Sequence, residues 1–161
     1  MHPSDETLHD YRIEKRRVAI TLTMVGGEEL HGHIFVQPST YGLGGPEHPT
    51  QLFNSAEPFV PLVQYDGEVL LVAKDRVIEV TGLPPGEDDP LQRDCARPSP
   101  AEITLAGGIV LTGAIRLETP SRHPRLQDFL NQHTERFITL DTTEGMHLIN
   151  LRLIDRIRPL D

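Results

Sequence analysis

The chain has 161 residues and a formal charge of −9, with 24% charged, 37% apolar and 5% aromatic residues and no tryptophan. This is the balance of an ordinary soluble protein with an aliphatic core, and the acidic excess argues against broad nucleic-acid binding, which needs clustered Lys and Arg. A single cysteine, Cys95, excludes an internal disulfide; with no membrane-length apolar run and a polar, acidic start, a cytoplasmic location without a membrane partner is expected.

Residues 1–12 read as a flexible tail. Val18, Ile20, Leu22 and Met24 then alternate with polar or small residues, the period-2 mark of a half-buried strand. Gly26-Gly27 turns the chain, and Leu30, Gly32, Ile34 and Val36 carry a second strand. A Gly/Pro-rich stretch follows from Gln37 to Glu57, with only a weak turn expected at 49–54. Strands are predicted at 58–65 and 68–74 around an Asp66-Gly67 turn, with a short closing strand at 76–80. Five prolines, two glycines and Glu87-Asp88-Asp89 mark 82–100 as a linker. Beyond it, Pro124 suits a first helical position, and Leu126, Phe129 and Leu130 share one face, predicting a helix at 124–131. Strands at 136–142 and 146–152 around Glu144-Gly145, and a last one at 153–158, complete the chain.

The chain says much the same thing twice. Ile20–Ile34 returns without a gap 81 positions later as Ala101–Ile115, and Leu52-Phe53-Asn54 answers to Phe129-Leu130-Asn131. Apolar positions recur, with Gly27 and Gly32 matched by Gly108 and Gly113, and Asn54 by Asn131. The charged residues do not recur, so the repeat carries shape rather than chemistry. It divides the chain into 13–81, the linker 82–100, and 101–161. Units this small bury only about 60% of their unfolded surface, so each is expected to lean on the other or on another chain.

The segments Gly27-Glu28-Glu29-Leu30-His31-Gly32-His33-Ile34 and Gly108-Ile109-Val110-Leu111-Thr112-Gly113-Ala114-Ile115 resemble the first motif of the Sm-like family, particularly its bacterial RNA-chaperone branch. Val72–Val80 and Ile149–Ile157 are similar to that branch's last two strands. The resemblance implies a mainly β chain of two tandem, five-stranded Sm-like or SH3-type barrels. The long loop with a short helix expected in each unit departs from the family, whose loop after the second strand is shorter. Where the RNA-chaperone branch has a Lys-His pair, this chain has Lys74-Asp75 and Leu151-Arg152.

Candidate chemistry is sparse. His31 and His33 flank Gly32 on one strand face, and His48 follows on the next loop, a set able to ligate a metal. The second copy has Thr112 and Ala114 in place of the pair. Arg12, Lys15, Arg16 and Arg17, with Lys74 and Arg76, form the nucleic-acid candidates. Gly42-Leu43-Gly44-Gly45 lacks the Lys-Ser/Thr of a phosphate loop. Arg16-Arg17 resembles the arginine-led site of PilZ domains, but the companion Asp-x-Ser-x-x-Gly segment is missing. No catalytic residue and no cofactor is expected. The function expected is a non-enzymatic adaptor or assembly protein, working through a protein partner or self-association. An RNA-binding regulator and a metal or small-ligand sensor are the alternatives.

Overall fold

Alternation in β1 (Arg16–Met24) sends Val18, Ile20 and Leu22 inward, and β2 (Glu29–Val36) returns beside it with Val18 opposite Ile34 and Leu22 opposite Leu30. These residues belong to a computed structural model that describes 15–37, 47–83, 97–117 and 125–160. The tail, Arg12, Cys95, the Gly42–Gly45 loop and 84–96 of the linker lie outside the described residues. Gly27 takes the left-handed conformation of the first hairpin turn (φ +87°), as Gly108 does in its counterpart (φ +86°).

That counterpart joins β6 (Arg97–Leu105) to β7 (Val110–Leu117), with Ser99 opposite Ile115 and Ile103 opposite Leu111, every pair 81 positions on from its equivalent. β6 begins at Arg97, inside the stretch expected to be linker. Pro98 and Pro100 fit there because its pairing with the last strand reaches only to Ala101.

Pro49 opens α1 (Pro49–Asn54), a full helical turn where only a weak one was expected. The His48 amide donates to Gln51 Oε1 at 2.8 Å, tying its start. β3 (Phe59–Gln64) and β4 (Val69–Ala73) form a hairpin, a 3-10 turn covers Lys74–Arg76, and β5 (Val77–Thr81) returns to β1. In the second half come α2 (Leu126–Gln132), β8 (Phe137–Thr142), β9 (Gly145–Asn150), a 3-10 turn at Leu151–Leu153 and β10 (Ile154–Pro159).

β2 and β3 pair only at Gly32–Gln64 and His33–Val63. A Cβ at Gly32 would collide with Val63 O, and one at Gly113 with Asp141 O on β8. Glycine at these two points therefore lets two backbones cross at a distance that no side chain allows. A further detail recurs. β5 slips past β1 with Ile78 bulged out of register, and β10 slips past β6 with Asp155 bulged at the equivalent place.

The chain is mainly β, and the described residues include a short helix in each half. The ten described strands belong to one open antiparallel sheet, in the order β10-β6-β7-β8-β9-β5-β1-β2-β3-β4. Two tandem five-stranded barrels are expected from the sequence; the described strands of both halves join in one sheet. β5 and β9 pair across them, with Glu79 opposite Ile149 and Val80 opposite Leu148. The same strand order, fifth-first-second-third-fourth, runs through each half, which leaves β4 and β10 at the sheet's two edges.

Two cores flank the junction. The first gathers Ile20, Leu22, Ile34, Phe53, Leu62 and Val80 and also takes Phe137 and Leu148 from the second half. The second gathers Ile103, Leu105, Ile115, Leu140 and Ile149 and takes Ile78 from the first. Each exchanged side chain is buried, and each such burial contributes about 1.5–3 kcal/mol. The bulge at Ile78 is thus what carries that side chain across into the other half's core. Among the described residues, no helix is long and apolar enough to cross a membrane.

Candidate functional site

Among the described residues, a set of buried and half-buried polar contacts gathers at the junction of the two halves, and its chemistry is that of a clasp. Asn54, the last residue of α1, lays its side-chain amide against the backbone of Phe137. Its Oδ1 accepts from Phe137 N at 2.7 Å, and its Nδ2 donates to Phe137 O at 3.2 Å and to Glu135 Oε2 at 2.8 Å. The amide thus completes the hydrogen bonding of the residue that begins β8. The Phe137 ring meets Phe53 edge-on, centroids 5.5 Å apart.

Asn150, fully buried at the end of β9, reaches back across the junction. Its Nδ2 donates to Val77 O at 3.0 Å and lies 3.4 Å from the carbonyls of Lys74 and Asp75. Its Oδ1 accepts from Arg152 N at 3.0 Å, which ties the following turn. Arg136 Nε donates to Asp75 Oδ1 at 2.7 Å, and His147 Nδ1 lies 3.1 Å from Glu79 Oε2. Lys74 is 1% exposed and braces the same region. Its Nζ donates to Leu52 O at 2.7 Å and Ser55 Oγ at 2.8 Å, holding the end of α1. Burial, reinforced by the positive Arg136, lowers its pKa from the ordinary lysine value.

At the open β4 edge the repeat presents the same shapes uncovered. Phe59 opens β3 as Phe137 opens β8, and it is 53% exposed where Phe137 is 1%. Leu71 holds the place in β4 that Leu148 holds in β9, and it is 69% exposed where Leu148 is 0%. Val69 and Tyr65 are exposed beside them. An apolar edge strand is the surface on which another chain adds a strand.

The residues singled out from the sequence are not gathered at one place. Lys15 and Arg17 are exposed at the start of β1, with the Arg17 guanidinium 5.9 Å from the Phe35 ring, and Arg16 is half-buried beside them. Arg76 is exposed near the other end of β1, where Met24 pairs with Val77, about 25 Å along the strand. Lys74, one of the nucleic-acid candidates, is buried against the end of α1, where its ammonium donates to the Leu52 carbonyl and the Ser55 hydroxyl. His31 Nδ1 lies 3.0 Å from Thr21 Oγ1, His33 packs edge-on against Tyr65 at 5.4 Å, and His48 caps α1. Among the described residues no three His, Cys, Asp or Glu side chains come together as metal ligands.

The edge residues Phe59, Tyr65, Val69 and Leu71 were missed in the sequence. One signal was available: Val69-Leu70-Leu71-Val72 is apolar without alternation, the pattern of a strand covered on both faces. Comparison with protein-family models, with curated proteins and with solved structures finds no match to this chain.

Proposed function

We propose that this chain is a non-enzymatic assembly subunit of two Sm-like units, copied within one gene, that binds protein through its open sheet edge in the cytoplasm. The observation that carries the reading is the exposure of Phe59 and Leu71, whose counterparts Phe137 and Leu148 are fully sequestered in a neighbouring half. Two matched strand orders, two matched bulges and the glycine crossings at Gly32 and Gly113 support common ancestry of the units. A basic set split between the ends of β1, and histidines engaged by Thr21, Tyr65 and the start of α1, give the RNA-binding and metal-sensor readings no comparable support.

The test is affinity capture with the full chain and its Leu71→Lys variant in parallel, each checked for an unchanged melting temperature. The expected result is stoichiometric retention of a protein, either another copy or a different chain, by the wild type and its loss with Leu71→Lys. Equal capture by both, or none by either, would rule the edge out.

A further inference from the structure

The inner junction has two sides, and each has a counterpart left open at an end of the molecule. On the receiving side, Phe53 and Val80 lie under Phe137 and Leu148 in the first core. Their counterparts in the second half are Leu130 of α2 and Ile157 of β10, and both are only partly buried. These two residues line a groove of about 330 Å³ together with Leu126, Asn131, Arg156 and Pro159. Asn131 stands where Asn54 stands in the first half, but it is exposed. One end of the chain thus offers an apolar pair without a cover, and the other offers the groove that covers such a pair inside the molecule.

We infer that the β4 edge of one chain pairs with the β10 edge of a second copy, Phe59 and Leu71 entering the groove walled by Leu130 and Ile157. This rests on the assembly reading above and names its partner. Carrying the inner register outward sets Leu71 opposite Ile157 and Val72 opposite Arg156, as Leu148 stands opposite Val80 and Ile149 opposite Glu79. Asn131 then bridges the backbone of Phe59 as Asn54 bridges that of Phe137. The inner Arg136–Asp75 pair is not repeated, since Arg152 stands for Asp75 and Pro58 for Arg136; the exposed Glu57 beside Pro58 gives the incoming side a charge opposite to that of Arg152.

Four inner contacts have no outer equivalent. Ala73 replaces Asn150, Leu70 with Arg156 replaces the His147–Glu79 pair, Pro58 with Arg152 replaces the Arg136–Asp75 pair, and Asp155 replaces the exchanged Ile78. The outer joint is therefore the weaker and more reversible of the two. Because it joins unlike ends, the contact is heterologous and propagates until rotation closes a ring.

The experiment is light scattering with native mass spectrometry on the purified full chain. The wild type should form species at multiples of the 18.0 kDa chain, while Leu71→Lys and Asn131→Arg, both at exposed positions, should each run as single chains. Mixing the two variants should restore a complex of one chain of each, since each keeps one intact end. In a Cys95→Ser background, Leu71→Cys with Ile157→Cys should then give interchain disulfides that Leu71→Cys alone does not. Self-association of Asn131→Arg alone, or crosslinking by Leu71→Cys alone, would mean like edges meet and would overturn the head-to-tail pairing. A wild type that stays a single chain at all concentrations would overturn self-association. The assembly reading would survive that result if Leu71-dependent capture of a different protein persisted.

Discussion

Asn54 and Asn131 are the same residue at the same place in two halves, yet their surroundings assign them unequal weight. The Asn54 amide meets both backbone groups of Phe137, and removing it leaves the Phe137 N–H without that acceptor and the carbonyl with only His133 Nε2 at 3.3 Å. Asn54→Ala should lower stability by about 1–3 kcal/mol. Asn131→Ala, at an exposed position, should stay within about 0.5 kcal/mol in dilute solution. Urea unfolding of both variants side by side reads the difference. Lys74 supplies a second prediction, in pH. Its folded pKa lies below 10.5, so between that lowered value and 10.5 the unfolded chain binds more protons than the folded one. Stability contributed by this group therefore rises with pH across that window. Relative to Lys74→Met, the wild type should gain stability as pH climbs from 7 toward 10, measured by denaturant midpoints. A flat difference would show that the ammonium is not penalised by its burial.

Strands of equal sequence pattern meet different fates according to their place in the sheet. β9 lies between β8 and β5 and is buried along Leu148 and Ile149, whereas β4 has only β3 beside it. Leu148→Ala should cost about 2–5 kcal/mol through lost burial and the cavity left behind. Leu71→Ala should cost no more than about 0.5 kcal/mol in dilute solution. Thermal melts of the pair check this. The same contrast shows what was legible beforehand. β1, β2, β6 and β7 were readable because one face of each is covered and the other is not, so their residues alternate. The closing strands and α2 followed from the repeat and from Leu126, Phe129 and Leu130. That β5 would pair with β9 was not readable, because pairing between strands is fixed by backbone groups that all residues share. The apolar run Val69–Val72 did hold the information that β4 has two faces to cover. Its meaning depended on knowing that β4 ends the sheet. Likewise, Lys74 looked like a surface cation until α1 was placed above it.

At the scale of the molecule, the exchange of Phe137, Leu148 and Ile78 makes the halves parts of one folding unit. Segments 15–83 and 97–160 made separately should each unfold at low denaturant without a sharp transition. Mixed in equal amounts, they should recover cooperative melting as a one-to-one complex, followed by circular dichroism. Independent, equally sharp melting of each segment would contradict such mutual dependence. Asp155, where its counterpart is Ile78, has a consequence for how the molecule lives outside any assembly. An aliphatic knob at that bulge would sit at a terminal strand, inviting indiscriminate sticking whenever the chain is newly made or dilute. A carboxylate there acts as a gatekeeper. Its exposed charge opposes such sticking at this edge strand.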